Sequence, residues 1–352
     1  MRPDSIFRTF SLDRTESDWA EYAHVLTPVE QLQGVYFKRE DYFAPLGYGG
    51  INGAKLRQCI WLTGRARAAG FTRVVSGASV KSPQLSMGAA VSTHFGMKPT
   101  MVIGSSRMET ALRHENVALA SMFGADFALA RIAYNPALQK AARERAASTN
   151  SYLLQYGITT DGPPDAVEAF HRLGAQQVQS IPDDVDTLYL PAGSCNSCVS
   201  VLYGLALFPR PLRRVVLFGI GPTRLDFIDA RLRTIEQVSG VQVRSMFDRV
   251  FHHHPEVQLA QNAAAGRGPT RLEHFDLHAT KFADYQDEMP FRFGGVDFHP
   301  TYEGKVMTYM QKHEAAFADF WKSGRALFWI VGSRPSRGPM MPFLKGRLEG
   351  LQ

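Results

Sequence analysis

Apolar residues fall along this chain in two recurring lengths. Short apolar runs occur at Thr72–Ser76, Pro99–Gly104, Ala125–Ala130, Tyr152–Gln155, Thr187–Leu190, Arg214–Phe218 and Ala326–Val331, each with the length of a buried strand. Between them lie longer segments that read as helices: Lys55–Ala69, Gln84–Phe95, Thr110–Phe123, Pro136–Ser148, Asp165–Ser180, Ser197–Phe208, Leu225–Val238 and Tyr302–Ser323. Such alternation predicts parallel strands joined by crossover helices. The fold class expected is α/β throughout. His252–Gly295 is the least regular stretch, and no internal repeat or low-complexity segment interrupts the pattern.

The turn cluster Thr159–Pro164 marks a crossing between two domains. With 352 residues, 45% hydrophobic and 20% charged, the chain has the size and composition of a two-domain or large single-domain globular protein. Its net charge of +6 suits an anionic substrate, a phosphate-bearing cofactor or a nucleic acid, without choosing among them. Three cysteines, Cys59, Cys195 and Cys198, are too few for a disulfide framework and fit a reducing compartment. No run approaches the ~20 apolar residues of a membrane span, and Met1–Ser5 opens no signal peptide. A soluble, cytoplasmic protein is expected, in the host cytoplasm if phage-encoded.

Four stretches carry candidate chemistry. Asn52-Gly53-Ala54-Lys55-Leu56-Arg57 follows the glycine-rich run Tyr42–Gly50 and opens a helix. A lysine at such a junction can be desolvated, lose its proton and condense with a carbonyl. Leu190-Pro191-Ala192-Gly193-Ser194-Cys195-Asn196-Ser197 joins a strand end to a helix start, where small residues and backbone N–H groups suit an anion. The Cys195-x-x-Cys198 spacing lacks the further ligands of a zinc site, so no metal is expected. Phe298–Lys305 is a turn feeding a helix, with Glu303 in the first turn, where the helix dipole favours a carboxylate. Ser76–Gln84 links a strand to a helix through Ser79, Lys81, Ser82 and Pro83. Three other features read as ordinary surface: the His252-His253-His254 run, the Gly219-Ile220-Gly221 turn, and a basic tail of Arg334, Arg337, Lys345 and Arg347.

Together these stretches resemble, in order and spacing, the pyridoxal-phosphate (PLP) enzymes of the tryptophan-synthase-β fold (fold type II). The resemblance is strongest to the 1-aminocyclopropane-1-carboxylate deaminase and D-cysteine desulfhydrase branch. It implies two domains, each a mainly parallel twisted sheet flanked by helices, with the cofactor between them. Residues 1–57 plus 160–352 would form the large cofactor-binding domain and 58–159 a small inserted one. It implies that Lys55 forms the Schiff base, and that Gly193, Ser194, Cys195, Asn196 and Ser197 cradle the 5′-phosphate. Asn52 and Gln84 would join the cofactor-binding set. Glu303 would face the pyridine nitrogen and keep it protonated, which makes the ring a strong sink for a carbanion at the substrate's α-carbon. Tyr302 and Ser82 would act on the substrate.

The sequence departs from the branch twice. His299 replaces the aspartate of the Asp-Pro-x-Tyr-Glu-Gly-Lys motif, and Pro83 replaces the asparagine that contacts the cofactor's 3′-oxygen. Proline has neither an N–H nor a polar side chain to offer, so that oxygen must turn to Ser79, Lys81 or Gln84. Deamination or β-elimination of a small amino acid is the outcome the resemblance implies first. The Pro83 departure and the basic tail suit an alternative, isomerisation or decarboxylation of an amino-acid-modified thymine in phage DNA. A non-catalytic PLP-binding protein is a further alternative, opposed by the retention of Lys55 and Glu303. Members of the family are commonly homodimers, and that assembly is expected by resemblance.

Overall fold

A computed structural model describes residues 25–46, 51–130, 134–252 and 269–332. The chain divides into two compact units, one built on Ala44–Thr160 and the other on His24–Phe43 with Asp161–Gly332. In chain order the strands are β1 (Val29–Leu32), β2 (Val35–Arg39), β3 (Arg73–Ala78), β4 (Lys98–Gly104), β5 (Asp126–Ala130), β6 (Tyr152–Leu154) and β7 (Thr187–Ala192). They continue with β8 (Arg214–Gly219), β9 (Phe247–His252), β10 (Thr270–Asp276), β11 (Phe291–Phe293), β12 (Val296–Phe298) and β13 (Ala326–Ile330).

The first unit holds a four-stranded sheet in the order β5-β4-β3-β6, all pairs parallel. Alternate residues of its strands serve opposite faces, as the pleat requires. Met101 and Ile103 pack with Leu85, Ala89 and Val117 on one side, and Val102 packs with Val75, Leu138 and Ala142 on the other. Gly77 lets the Asn135–Ser148 helix lie close over β3, because a Cβ there would sit 2.9 Å from both the Leu138 carbonyl oxygen and Ala142 Cβ.

In the second unit the order is β1-β2-β13-β7-β8-β10-β9, parallel except for the antiparallel β1 at the edge. Leu188, Leu190, Val215, Leu217, Leu327 and Trp329 share one buried layer with helices Asn196–Leu207 and Leu225–Ser239. Tyr189, Val216, Phe218, Phe275, Phe328 and Ile330 face the other layer, with helix Glu303–Lys312. One polar cluster interrupts this apolar packing. Arg214 donates to both oxygens of Glu273 (3.0 and 2.9 Å) and to Asp319 (2.9 Å), which also accepts from the Tyr189 hydroxyl at 2.6 Å.

The alternation read from the sequence holds, and the fold is α/β with parallel sheets flanked by helices. The irregular stretch is more ordered than expected, since β9, β10 and the β11–β12 hairpin lie in or beside it. Strand β10, Thr-Arg-Leu-Glu-His-Phe-Asp, does not read as apolar because its glutamate is buried against Arg214. The expected Thr110–Phe123 helix is two, Met108–Ala111 and Glu115–Met122. The break lets buried Asn116 accept from Ser86 Oγ (2.8 Å) and donate to the Lys81 carbonyl (3.0 Å). The expected Tyr302–Ser323 helix likewise breaks after Lys312, and a 3₁₀ turn at Glu314–Phe317 leads into Ala318–Lys322. No helix among the described residues is long and apolar enough to cross a membrane.

Candidate active site

Ligands of parallel α/β sheets gather beyond the carboxyl ends of the strands. The expected site residues of the second unit lie there. After β7 the chain runs through Gly193 and Ser194, and Cys195 adopts a left-handed conformation (φ +68°) just before helix Asn196–Leu207. That left-handed residue turns the chain sharply, so the helix start follows the strand end at once. The first N–H groups of a helix have no intrahelical partner, and they form an anion site together with the dipole. Ser194 is buried, and among the described residues its Oγ has no hydrogen-bond partner. Gly193 faces the Tyr302 ring, and a Cβ there would stand 3.6 Å from it, an ordinary van der Waals contact. The two cysteines pack on carbonyl oxygens of the same turn, Cys195 on Gly193 (3.7 Å) and Cys198 on Pro191 (3.8 Å). Among the described residues no cluster of His, Cys, Asp and Glu could hold a metal ion.

Glu303 opens helix Glu303–Lys312 and is fully buried. Its Oε1 accepts from the backbone N–H groups of Val331 (2.8 Å) and Gly332, just past the end of β13, while Oε2 has no partner among the described residues. Burial pushes this carboxyl up to about 7, against the lowering effect of those N–H donors, and nearby Asp41 pushes it the same way. Gly332 is required for the contact, because a Cβ would collide with both carboxylate oxygens. A buried carboxylate with one oxygen unspent suits a protonated ring nitrogen.

Tyr302, half-buried, shares a hydrogen bond of 2.9 Å with the Tyr285 hydroxyl. Buried Lys305 donates to the carbonyl oxygens of Asp284 and of Tyr285 (3.1 Å), and so holds the loop that carries Tyr285. His299 occupies the aspartate position, and its Nδ1 accepts from the Thr301 N–H at 3.2 Å, the turn-closing bond an aspartate oxygen would make. The histidine therefore keeps the turn that delivers Tyr302 and Glu303. On helix Asn196–Leu207, Ser200 Oγ lies 3.1 Å from His171 Nδ1. Burial, aided by Arg231, pushes this imidazole down to about 3, so it is neutral.

In the first unit Lys55 is the first residue of helix Lys55–Ala68 and is half-buried, with buried Asn52 just ahead of it. After β3, Ser82 caps helix Pro83–His94, its Oγ accepting from the Gln84 N–H at 3.3 Å, and Pro83 takes the first helical position, where a missing N–H costs nothing. Gln84 is committed to the fold. Its amide nitrogen donates to Ser76 Oγ (2.8 Å) and the Gln155 carbonyl (3.0 Å), and its oxygen accepts from the Gly157 N–H (2.7 Å). Both amide hydrogens are spent, so the side chain braces the strand ends of this unit and has no donor left for a cofactor oxygen.

Sequence reasoning missed Tyr285, Val331, Gly332 and His171. Tyr285 lies in the stretch without periodicity, and backbone donors leave no mark in side-chain identity. Lys305 stood inside the quoted motif but had no role assigned. The glycine run at 47–50, His253, His254 and the basic tail lie outside the described residues. An open cavity of about 390 Å³ against β4 and β5, lined by Val102, Leu129 and Ala141, includes none of the expected site residues.

No family model matches the chain. A curated relative does: the O-seryl-dTMP PLP-dependent decarboxylase of Salmonella phage ViI is 40% identical, over 96% of this chain and 88% of the relative. The chain belongs to the PLP-dependent enzymes of fold type II. Solved structures agree on the fold of this PLP enzyme. An ACC deaminase homologue superposes with a TM-score of 0.66 at 19% identity, covering 92% of this chain and 94% of the other. Serine racemase of maize gives 0.51 at 13% identity, covering 94% and 98%. The PLP enzyme offers residues that fit its cofactor: an unpartnered buried hydroxyl at a helix start for the phosphate, and a buried carboxylate with one oxygen unspent for the ring nitrogen.

Proposed function

We propose that this PLP enzyme decarboxylates a seryl group carried on a thymidine nucleotide. The observation that carries the reading is the relative named for that reaction, matched at 40% identity over 96% of the chain. The residues support it. Lys55 would hold the cofactor through its Nζ, and as a free amine it would carry protons at the reacting carbon. Ser194 and the helix start at Asn196 and Ser197 bind the phosphate. Glu303 holds a proton on the ring nitrogen, while Tyr302 and Ser82 orient the substrate. Bound PLP supplies the sink for the electron pair left on the α-carbon when a bond to it breaks. In decarboxylation the bond from α-carbon to carboxylate breaks, CO2 leaves, and a proton replaces it at that carbon, leaving a primary amine.

Deamination of a small amino acid is the second reading, favoured by the Tyr302–Glu303 pair of the deaminase branch. One experiment separates the two. Holoenzyme is incubated with seryl-dTMP and with free amino acids, and the products are analysed by mass spectrometry. Loss of CO2 from the nucleotide is expected. Ammonia release from free amino acids, with the nucleotide unchanged, would replace this reading by the second. Borohydride treatment should fix the cofactor to Lys55, and Lys55→Ala should abolish both the adduct and turnover.

A further inference from the structure

We propose that His171 is a positioning residue for the cofactor's phosphate: it donates to the Asn196 carbonyl, and through that peptide unit it sets the Ser197 N–H offered to the phosphate. The inference rests on the phosphate placement proposed above and is independent of the substrate's identity. His171 stands on helix Pro164–Ala175, which packs against helix Asn196–Leu207. Further along the pair, Arg172 donates to the Tyr203 hydroxyl at 2.8 Å and pairs with Glu168 at 2.6 Å. Gly204 and the Ala175 carbonyl lie too close for a Cβ between them. These contacts hold the second half of the phosphate-loop helix. His171 serves its first turn.

The imidazole is buried, and its Nδ1 lies 3.1 Å from Ser200 Oγ. The ring also bonds the Asn196 backbone, in a contact that favours the protonated ring and is therefore accepted by the carbonyl oxygen. Ser200 stands four residues after Asn196, so its N–H is the helical partner of that same carbonyl. The ring thus meets both ends of one helical bond. The Asn196 carbonyl and the Ser197 N–H belong to a single planar peptide group. A donor bound at the oxygen fixes that plane and polarises the N–H, strengthening the next hydrogen bond by roughly 10–30%. This N–H lies in the first helical turn, which has no intrahelical acceptor to offer and favours an anion. The ring is neutral because burial and Arg231 disfavour its charge, and Arg231, on helix Leu225–Ser239, pairs with Asp161 at 2.7 Å. One ring nitrogen therefore keeps a proton as a fixed donor. An apolar side chain of similar size would fill this space without the cost of burying polar nitrogens, so packing alone does not call for histidine.

The test titrates the full chain, stripped of cofactor, with PLP and with pyridoxal, which lacks the phosphate, and follows absorbance. His171→Leu should weaken PLP about three- to tenfold and leave pyridoxal within about twofold of the parent. His171→Asn places an amide N–H near the position of Nδ1 and should restore PLP binding to within about twofold. The phosphorus NMR signal of bound PLP should shift in His171→Leu and return in His171→Asn. If His171→Leu does not fold, His171→Met fills the space with a flexible side chain and should give the same split between PLP and pyridoxal. Ser197→Pro deletes the N–H itself at the second helical position, where Pro136 already stands in helix Asn135–Ser148. It should weaken PLP by roughly 10- to 100-fold, and His171→Leu added to it should cost less than about twofold more. Equal weakening of PLP and pyridoxal in His171→Leu, no weakening of PLP, or losses that multiply in the double variant would each overturn the proposal. Unchanged PLP binding in Ser197→Pro would sink the phosphate placement, and the proposal with it.

Discussion

In the proposed mechanism Glu303 concentrates much of the chemistry in one carboxyl group. Its proton is held to about pH 7 rather than the ordinary 4.5, because burial disfavours the charge more than two backbone N–H groups favour it. The folded carboxyl therefore keeps its proton to higher pH than the unfolded one. Its contribution to stability is fully present below about pH 4.5 and is lost as pH rises through about 7, by roughly 3 kcal/mol in the cofactor-free protein. Glu303→Gln mimics the protonated form. With cofactor removed it should denature later than the parent at pH 8.5 and with it near pH 4, by thermal melts, and an equal gap at both values would refute the assignment. In the holoenzyme the same change should lower kcat at least about tenfold, a barrier increase of ~1.4 kcal/mol. His299 makes a separate residue-scale case. It closes the turn through Nδ1, so His299→Asp should keep stability while His299→Ala costs about 1 kcal/mol by urea denaturation.

At the scale of elements, helices start where parallel strands end, and the joints are tight. Gly204, inside helix Asn196–Leu207, faces the end of helix Pro164–Ala175, and a Cβ there would strike the Ala175 carbonyl oxygen and come within 2.7 Å of Val178 Cγ2. Gly204→Ala should cost about 1–3 kcal/mol in the same denaturation experiment, since the backbone oxygen cannot yield. The Arg214–Glu273–Asp319–Tyr189 cluster ties β8, β10 and β7 to helix Ala318–Lys322. Removing one partner leaves a desolvated charge, so Glu273→Ala should destabilise by roughly 3–5 kcal/mol, whereas a loss under 1 kcal/mol would mean the cluster is hydrated. This cluster also explains why β10 was illegible: a strand whose buried face carries Glu273 does not look apolar. Strands β7, β8 and β13, with every residue buried, read directly from composition.

Over the whole molecule, the order of elements and the cofactor chemistry were legible, because both are written in local pattern. Apolar runs of strand length, helices of periodic spacing, and a lysine, a small-residue loop and a Tyr-Glu pair at strand–helix joints survive in one dimension. Charge was legible only as a total, since +6 gives no sign that a net +9 lies in residues 44–160. The cations of the basic tail stand close together in sequence, whereas Arg73 and Lys98 become neighbours only through β-pairing. By itself the sequence determined an α/β protein with the residue types of a PLP enzyme, since hydrophobic period and motif spacing are local properties. Only the tertiary structure decided that Glu303 sits on the Val331 and Gly332 amides, and that Gln84 is spent on Ser76, Gln155 and Gly157. Apart from the Gln84–Ser76 bond, the Glu303 and Gln84 contacts join residues 28 to 73 positions apart, and it is strand order and register that bring them together.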